Sequence, residues 1–105
     1  MEAYNSEKKA VQLAVHAIHC AYMEHGMLTL VTEGGTFTAR CGIHELMSAY
    51  PMIPFAIPQK GYIVNLEWIG YLDYENNMIY MKQGGCVKIS RRKRMEFYQR
   101  YSEGY

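Results

Sequence analysis

The chain has 105 residues, half of them hydrophobic, and a formal net charge of +1 at pH 7. This length and composition predict one folded domain with a modest core, and they exclude an intrinsically disordered chain. No segment approaches the roughly 18 uncharged apolar residues of a membrane-spanning helix, and the N-terminus does not have the pattern of a signal peptide. We therefore expect a cytoplasmic protein without membrane contact, whose Cys20, Cys41 and Cys86 are free thiols.

The first part of the chain predicts short β-strands joined by tight turns. Residues 11–15 and 27–32 alternate apolar and polar side chains, and residues 18–23 form a short apolar run between them. The sequence "EGG" at 33–35 is typical of a turn, and residues 36–41 have the composition of a returning strand. We therefore predict a β-hairpin over 27–41.

The pattern changes to a helical period at residues 42–50. Apolar residues recur there at the spacing of one helix face, and prolines follow at positions 51 and 54. The sequence therefore predicts a short central helix over 42–50.

The second half of the chain predicts more strands and one further helix. Apolar segments separated by the turn-forming sequences "PQKG", "ENN" and "GG" occupy residues 55–57, 62–66, 68–74, 78–83 and 86–90. Ser90 is a good N-cap, so we predict a C-terminal helix over 91–101 that packs through Phe97, Tyr98 and Tyr101. The predicted fold class is mainly β, with two short helices.

Basic residues are concentrated near the C-terminus. Residues 88–100 contain six bases and one acid, a net charge of +5, whereas residues 1–87 carry a net charge of −3. The run from Arg91 to Arg94 stands at the predicted start of a helix, where the helix dipole disfavours cations. We interpret the run as a site for a polyanion, and the alternative is a solvated helix face.

The segment "GYIVNL" at 61–66, followed at a distance by "SRRKR" at 90–94, resembles the LytTR DNA-binding domain. The hairpin "LTLVTEGGTFTAR" and a short helix containing Glu45 and Leu46 fit the same family, so the resemblance covers residues 11–101. It implies an elongated set of antiparallel β-sheets with a short central helix, as in bacterial transcription regulators of the LytR/AlgR type.

The resemblance also implies a function and partners. Family members bind double-stranded DNA with loops that enter successive major grooves, usually at paired direct repeats. Most carry the domain behind a receiver domain of a two-component system. Residues 1–105 show no receiver, so we expect one DNA-binding domain, either excised from a response regulator or acting alone, with a receiver domain or a second copy on DNA as a further partner.

Two loops become candidate DNA contacts by their position in the family pattern. In the loop at 23–28, His25 is the available hydrogen-bond donor, and Gly26 aligns with the residue that reads a base. Before the "GY" pair, Lys60 occupies a base-contacting position, and the neighbouring Gln59 could pair with adenine through its amide.

The basic turn is the third candidate region. Arg92 matches the arginine that contacts a base or a phosphate in the family, and Arg91 and Lys93 flank it. A helix N-terminus is also a ready anion site, which supports the same interpretation independently. The alternative is that these side chains extend into water or pair with Glu96.

Other chemistries have weaker support. Strict strand alternation would place His16 and Cys20 on the face opposite His19, so no metal site is predicted. No nucleophile–base pair or phosphate-binding loop is present, so neither an enzyme nor a cofactor is predicted. Asn65 is interpreted as an amide that satisfies a turn or strand end. The alternative function is a small β-domain whose basic C-terminal end binds RNA, protein or an anionic surface without sequence preference.

Overall fold

Two antiparallel sheets and two helices make up the computed structural model, which describes residues 1–104. In chain order, the strands of the large sheet are β1 (Glu2–Tyr4), β2 (Ala10–Gln12), β3 (Ile18–Glu24), β4 (Met27–Thr32), β5 (Gly35–Ala39), β6 (Phe55–Ala56) and β7 (Tyr62–Asn65). The small sheet contains β8 (Ile69–Asp73), β9 (Met78–Met81) and β10 (Cys86–Lys88). The helices are α1 (Ile43–Ala49) and α2 (Arg94–Ser102), and one-turn 3-10 helices occupy Val15–Ala17 and Leu66–Trp68.

The strand order confirms an elongated, mainly β fold. The large sheet runs β2-β1-β5-β4-β3-β7-β6, the small sheet runs β10-β9-β8, and the described residues measure 41 × 26 × 25 Å. The predicted hairpin is β4–β5, whose register pairs Leu28 with Ala39. Residues 1–12 contain a further hairpin, β1–β2, whose first strand the sequence pattern did not indicate.

Each sheet has its own hydrophobic core, and the β6–β7 ribbon separates the two cores. Phe55 and Ile63 point into the core under the large sheet, whereas Ala56 and Val64 point into the core under the small sheet. Because successive strand residues face opposite sides, one ribbon can supply both cores. This double burial explains why "YIVNL" is apolar almost throughout.

The central helix forms as predicted and belongs to the large-sheet core. Ile43 and Leu46 are buried there, which is the face that the helical period indicated. At its start, the Gly42 backbone N–H donates to Oε1 of Glu45 at 3.2 Å, so a side chain satisfies one of the unpaired donors of the first turn.

The predicted start of the C-terminal helix is wrong by three residues. The helix α2 begins at Arg94, and residues 91–93 form a turn. The backbone N–H of Lys93 donates to both the Oγ and the carbonyl oxygen of Ser90, at 3.2 Å each. Ser90 therefore closes this turn and does not cap α2. The packing face is as predicted, with Phe97 buried in the small-sheet core and Tyr98 packed against it.

A β-bulge at His19 overturns the alternation expected for β3. Ile18 pairs with Thr32 and Cys20 pairs with Val31, so His19 is an extra residue in its strand. As a result His19 and Cys20 line the same cleft and do not face opposite sides. Burial lowers the pKa of His19, an effect that Glu33 partly offsets.

Candidate functional site

One end of the large sheet gathers three segments that are distant in sequence. The β3–β4 turn lies there, because Glu24 pairs with Met27. The end of β5 lies beside it, since Ala39 pairs with Leu28. The loop before β7 joins them through the backbone N–H of Met23, which donates to the Gly61 carbonyl at 3.0 Å. The register therefore brings two of the predicted contact loops to one edge of the molecule.

The central groove, a depression of about 490 Å³, opens at this end of the sheet. It is lined by Met23, Gly42, Ile43, His44, Ile57, Lys60, Gly61, Arg92 and Lys93. Lys60 comes from the loop before β7, Arg92 and Lys93 from the turn before α2, and His44 from the exposed side of α1. No acidic side chain is among these lining residues. The groove is therefore a basic site with an apolar floor.

Hydrogen bonds between distant segments hold Lys60 next to the basic turn. The amide Nε2 of Gln59 donates to the Lys88 carbonyl at 2.9 Å, and the Ser90 backbone N–H donates to the Pro58 carbonyl at 2.9 Å. These bonds fix the loop before β7 against the end of β10. This bond uses one N–H of the Gln59 amide, which also carries a second N–H and a carbonyl oxygen, so Gln59 positions Lys60 and keeps polar groups for a ligand.

The side groove adjoins the central groove and contains the β3–β4 turn. It is lined by Met23, Gly26, Met27, Arg40, Cys41, Gly42 and Glu45. Met23 and Gly42 line both grooves, so the two form one continuous surface. The turn residues His25 and Gly26 have φ angles of 51° and 77°, the left-handed pair that a two-residue type I′ hairpin requires. His25 is exposed at the tip of this turn.

The cations of this surface are not neutralised within the protein. Among residues 1–104 the one salt bridge joins Lys9 to Glu7, with 4.0 Å between Nζ and Oε2. Glu96, the expected alternative partner of the basic turn, lines a small adjoining cleft that shares Ile57 and Lys93 with the central groove. Within the described chain it makes no salt bridge. Arg91 is exposed and lines neither groove. The basic groove is thus available to an external anion.

Sequence reasoning missed Arg40 and the placement of His44. The Arg40 guanidinium carbon lies 5.5 Å from the centre of the Tyr4 ring, a cation–π contact that holds it beside the side groove. His44 was expected on the surface, and it is exposed, but it also lines the central groove with Lys60. The pairing of β5 with β1 and β4 places Arg40, and the packing of α1 against the large sheet places His44. No local sequence pattern encodes either placement.

Asn65 has the structural role that the sequence indicated. It is fully buried, its Nδ2 donates to the Ile18 carbonyl at 3.1 Å, and its Oδ1 accepts from the Glu67 backbone N–H at 3.0 Å. It therefore ties β7 to the bulged start of β3, at the end of the sheet away from the central groove.

The thiols and the possible metal ligands lie outside the two grooves except for Cys41 in the side groove and His44 and Glu45 at the grooves. All three cysteines are free, and burial raises the pKa values of Cys20 and Cys41, which favours the protonated thiol. No cluster of three His, Cys, Asp or Glu side chains within residues 1–104 is placed to hold a metal ion. Neither helix of the described chain has the length and apolar character needed to cross a bilayer.

Comparisons with known proteins agree on one family. The model of the LytTr DNA-binding domain matches residues 8–102. Among solved structures, the LytTr DNA-binding domain of a response regulator from Bacillus cereus is similar with a TM-score of 0.82 and 16% sequence identity, covering 93% of each chain. No curated protein sequence matches. At 16% identity, the structural similarity shows that the two chains share a fold.

Proposed function

The chain belongs to the LytTR DNA-binding domain family, and from this premise we propose that it binds double-stranded DNA with sequence preference as a bacterial transcription regulator. In this proposal residues 1–105 act as one DNA-binding domain, by binding alone and without a catalytic step. The family pattern favours loops that enter successive major grooves at paired direct repeats, under the control of a receiver domain or as two copies on the DNA.

One observation carries the proposal: the central groove joins Lys60 to Arg92 and Lys93 with no acid among its lining residues. These cations come from segments more than 30 residues apart, and cross-segment hydrogen bonds hold them together. Such an arrangement suits a DNA backbone, whose phosphates receive most protein hydrogen bonds.

We assign a role to each predicted contact. Arg92 makes two parallel hydrogen bonds to a guanine edge or a phosphate, because its planar guanidinium fits either. Lys60 contacts a base or phosphate in the same groove of the DNA, and Gln59 holds it there. The β3–β4 turn, with His25 at its tip and Gly26 in the side groove, approaches a neighbouring part of the duplex. Arg91 and Lys93 contact flanking phosphates.

The test begins with selection of preferred sites from a random double-stranded library. Wild-type protein is then titrated with the preferred and a scrambled duplex at about 150 mM salt, where non-specific contacts weaken steeply. We expect Arg92→Ala to reduce specific affinity by about 1–3 kcal/mol and Arg92→Lys to restore only part of it.

Lys82→Ala provides a control with the same change in charge. Lys82 is exposed, and its neighbours Gln83 and Gly84 share a cleft with Thr32, at the opposite end of β4 from the central groove. This variant should bind DNA as wild type does. Equal binding of wild type to preferred and scrambled DNA would instead support the alternative of a general polyanion-binding β-domain.

A further inference from the structure

Met23 is an exposed apolar residue between the two grooves of the proposed DNA-binding surface. It lies at the end of β3 and lines both the central and the side groove. Its side chain is 40% exposed, whereas Ala21, two residues earlier on the same strand, is completely buried. A flexible apolar side chain is thus presented to solvent where the basic central groove meets the side groove.

The surroundings of Met23 combine apolar and cationic groups. Ile43 and Ile57 also line the central groove, so its floor is apolar, while Lys60 and Arg92 are among the cations around it. A ligand that complements this groove offers negative charge beside a small apolar group. Duplex DNA offers both in its major groove, because thymine carries a C5-methyl group and no other standard base does.

We propose that Met23 contacts the methyl group of a thymine next to the base or phosphate bound by Lys60 and Arg92. This inference rests on the proposed function and adds to it a specificity for one base. The unbranched thioether of methionine adapts to the position of the methyl group, which a rigid β-branched side chain at this place would do less well. The rest of the apolar floor, from Ile43 and Ile57, excludes water from the contact.

The experiment replaces each thymidine of the preferred duplex, one at a time, with deoxyuridine. This change removes the methyl group and leaves the hydrogen-bonding edge intact. For wild type we expect about a fourfold loss of affinity at one position, the effect of leaving one methyl-sized group unburied. Met23→Ala should bind the thymine and uracil duplexes equally at that position, and Met23→Leu should keep the preference.

Met52→Ala is the matched control. Met52 is 68% exposed and lines neither groove, so its loss should leave the preference for thymine unchanged. Melting curves establish that each variant is folded, and Met23→Gln, which keeps the side-chain length, replaces Met23→Ala in the comparison if the alanine variant is unstable.

The outcomes separate this inference from the proposed function. A wild type that prefers one sequence but shows no sensitivity to uracil, or a Met23→Ala variant with the wild-type preference for thymine, overturns the role of Met23 alone. A wild type without any preferred sequence refutes the proposed function itself.

Discussion

Replacing Asn65 with alanine should cost stability and leave DNA recognition intact. The substitution leaves the Ile18 carbonyl, in a fully buried residue, without its donor, which costs about 1–3 kcal/mol. The Glu67 backbone N–H loses its acceptor too, but Glu67 is exposed and water can replace it, so this loss adds about 0.5–1.5 kcal/mol. We therefore expect a total destabilisation of about 1.5–4.5 kcal/mol, and a melting temperature lower by about 6 °C or more.

Urea denaturation followed by circular dichroism measures this effect directly. Asn65→Asp should be at least as destabilising, because it places a carboxylate oxygen opposite the Ile18 carbonyl in a buried site. Asn76→Ala is the control, since that side-chain amide is exposed and, within residues 1–104, donates only to Oδ2 of Asp73. At a temperature where Asn65→Ala remains folded, its DNA affinity should stay within about twofold of wild type. A loss of stability below about 0.5 kcal/mol, or a loss of DNA affinity with normal stability, would refute the structural role.

Three further variants test other parts of the fold. The pKa of His19 is lowered in the folded state, so the folded protein binds fewer protons than the unfolded chain below pH 6.5, and wild type should lose stability as the pH falls through that range. His19→Leu should abolish this loss, which urea midpoints at several pH values measure. Parallel pH profiles of the variant and wild type would contradict the prediction. Phe97→Ala should destabilise the protein by about 3–5 kcal/mol, because a completely buried ring leaves a cavity beneath α2; a urea titration with a much smaller loss would show that α2 contributes little. Gly70→Ala should cost about 1–3 kcal/mol in the same assay, since its Cβ would stand 3.0 Å from the Tyr80 carbonyl; Gly34→Ala, with no atom nearer than 3.8 Å, is the control, and equal stability of the two variants would disprove the clash.

The parts of the fold that the sequence predicted are those that local patterns determine. Residues 27–32 are mostly apolar and precede the turn sequence "EGG", and one helix face is marked in 42–50, so the hairpin and α1 were identified from local patterns. The start of α2 was missed because a serine can close a turn as well as cap a helix, and the choice depends on which backbone N–H it meets. The bulge at His19 was missed because one inserted residue leaves no signature in a short apolar strand.

The candidate site was predictable only in part, because some of its residues are brought together by contacts between distant segments. Lys60 and Arg92 were identified by their place in a family pattern, and the structure brings them into one groove. Arg40 reaches the adjoining side groove through the pairing of β5 with its neighbouring strands, and the imidazole of His44 reaches the central groove through the packing of α1 on the large sheet. That packing depends on contacts between segments far apart in sequence, which periodicity does not report.

The separation of the two cores has a consequence for how the protein opens. Met23 and Ile43 approach the central groove from the half built on the large sheet, whereas Arg92 and Lys93 approach it from the half built on the small sheet. Each half contains its own apolar cluster, so each can act as a separate unit of local unfolding in native-state hydrogen exchange. Transient opening of the smaller half would remove two cations from the groove while most strands remained paired. DNA bound across the groove would connect the halves, and their amide protons would then exchange as one cooperative unit.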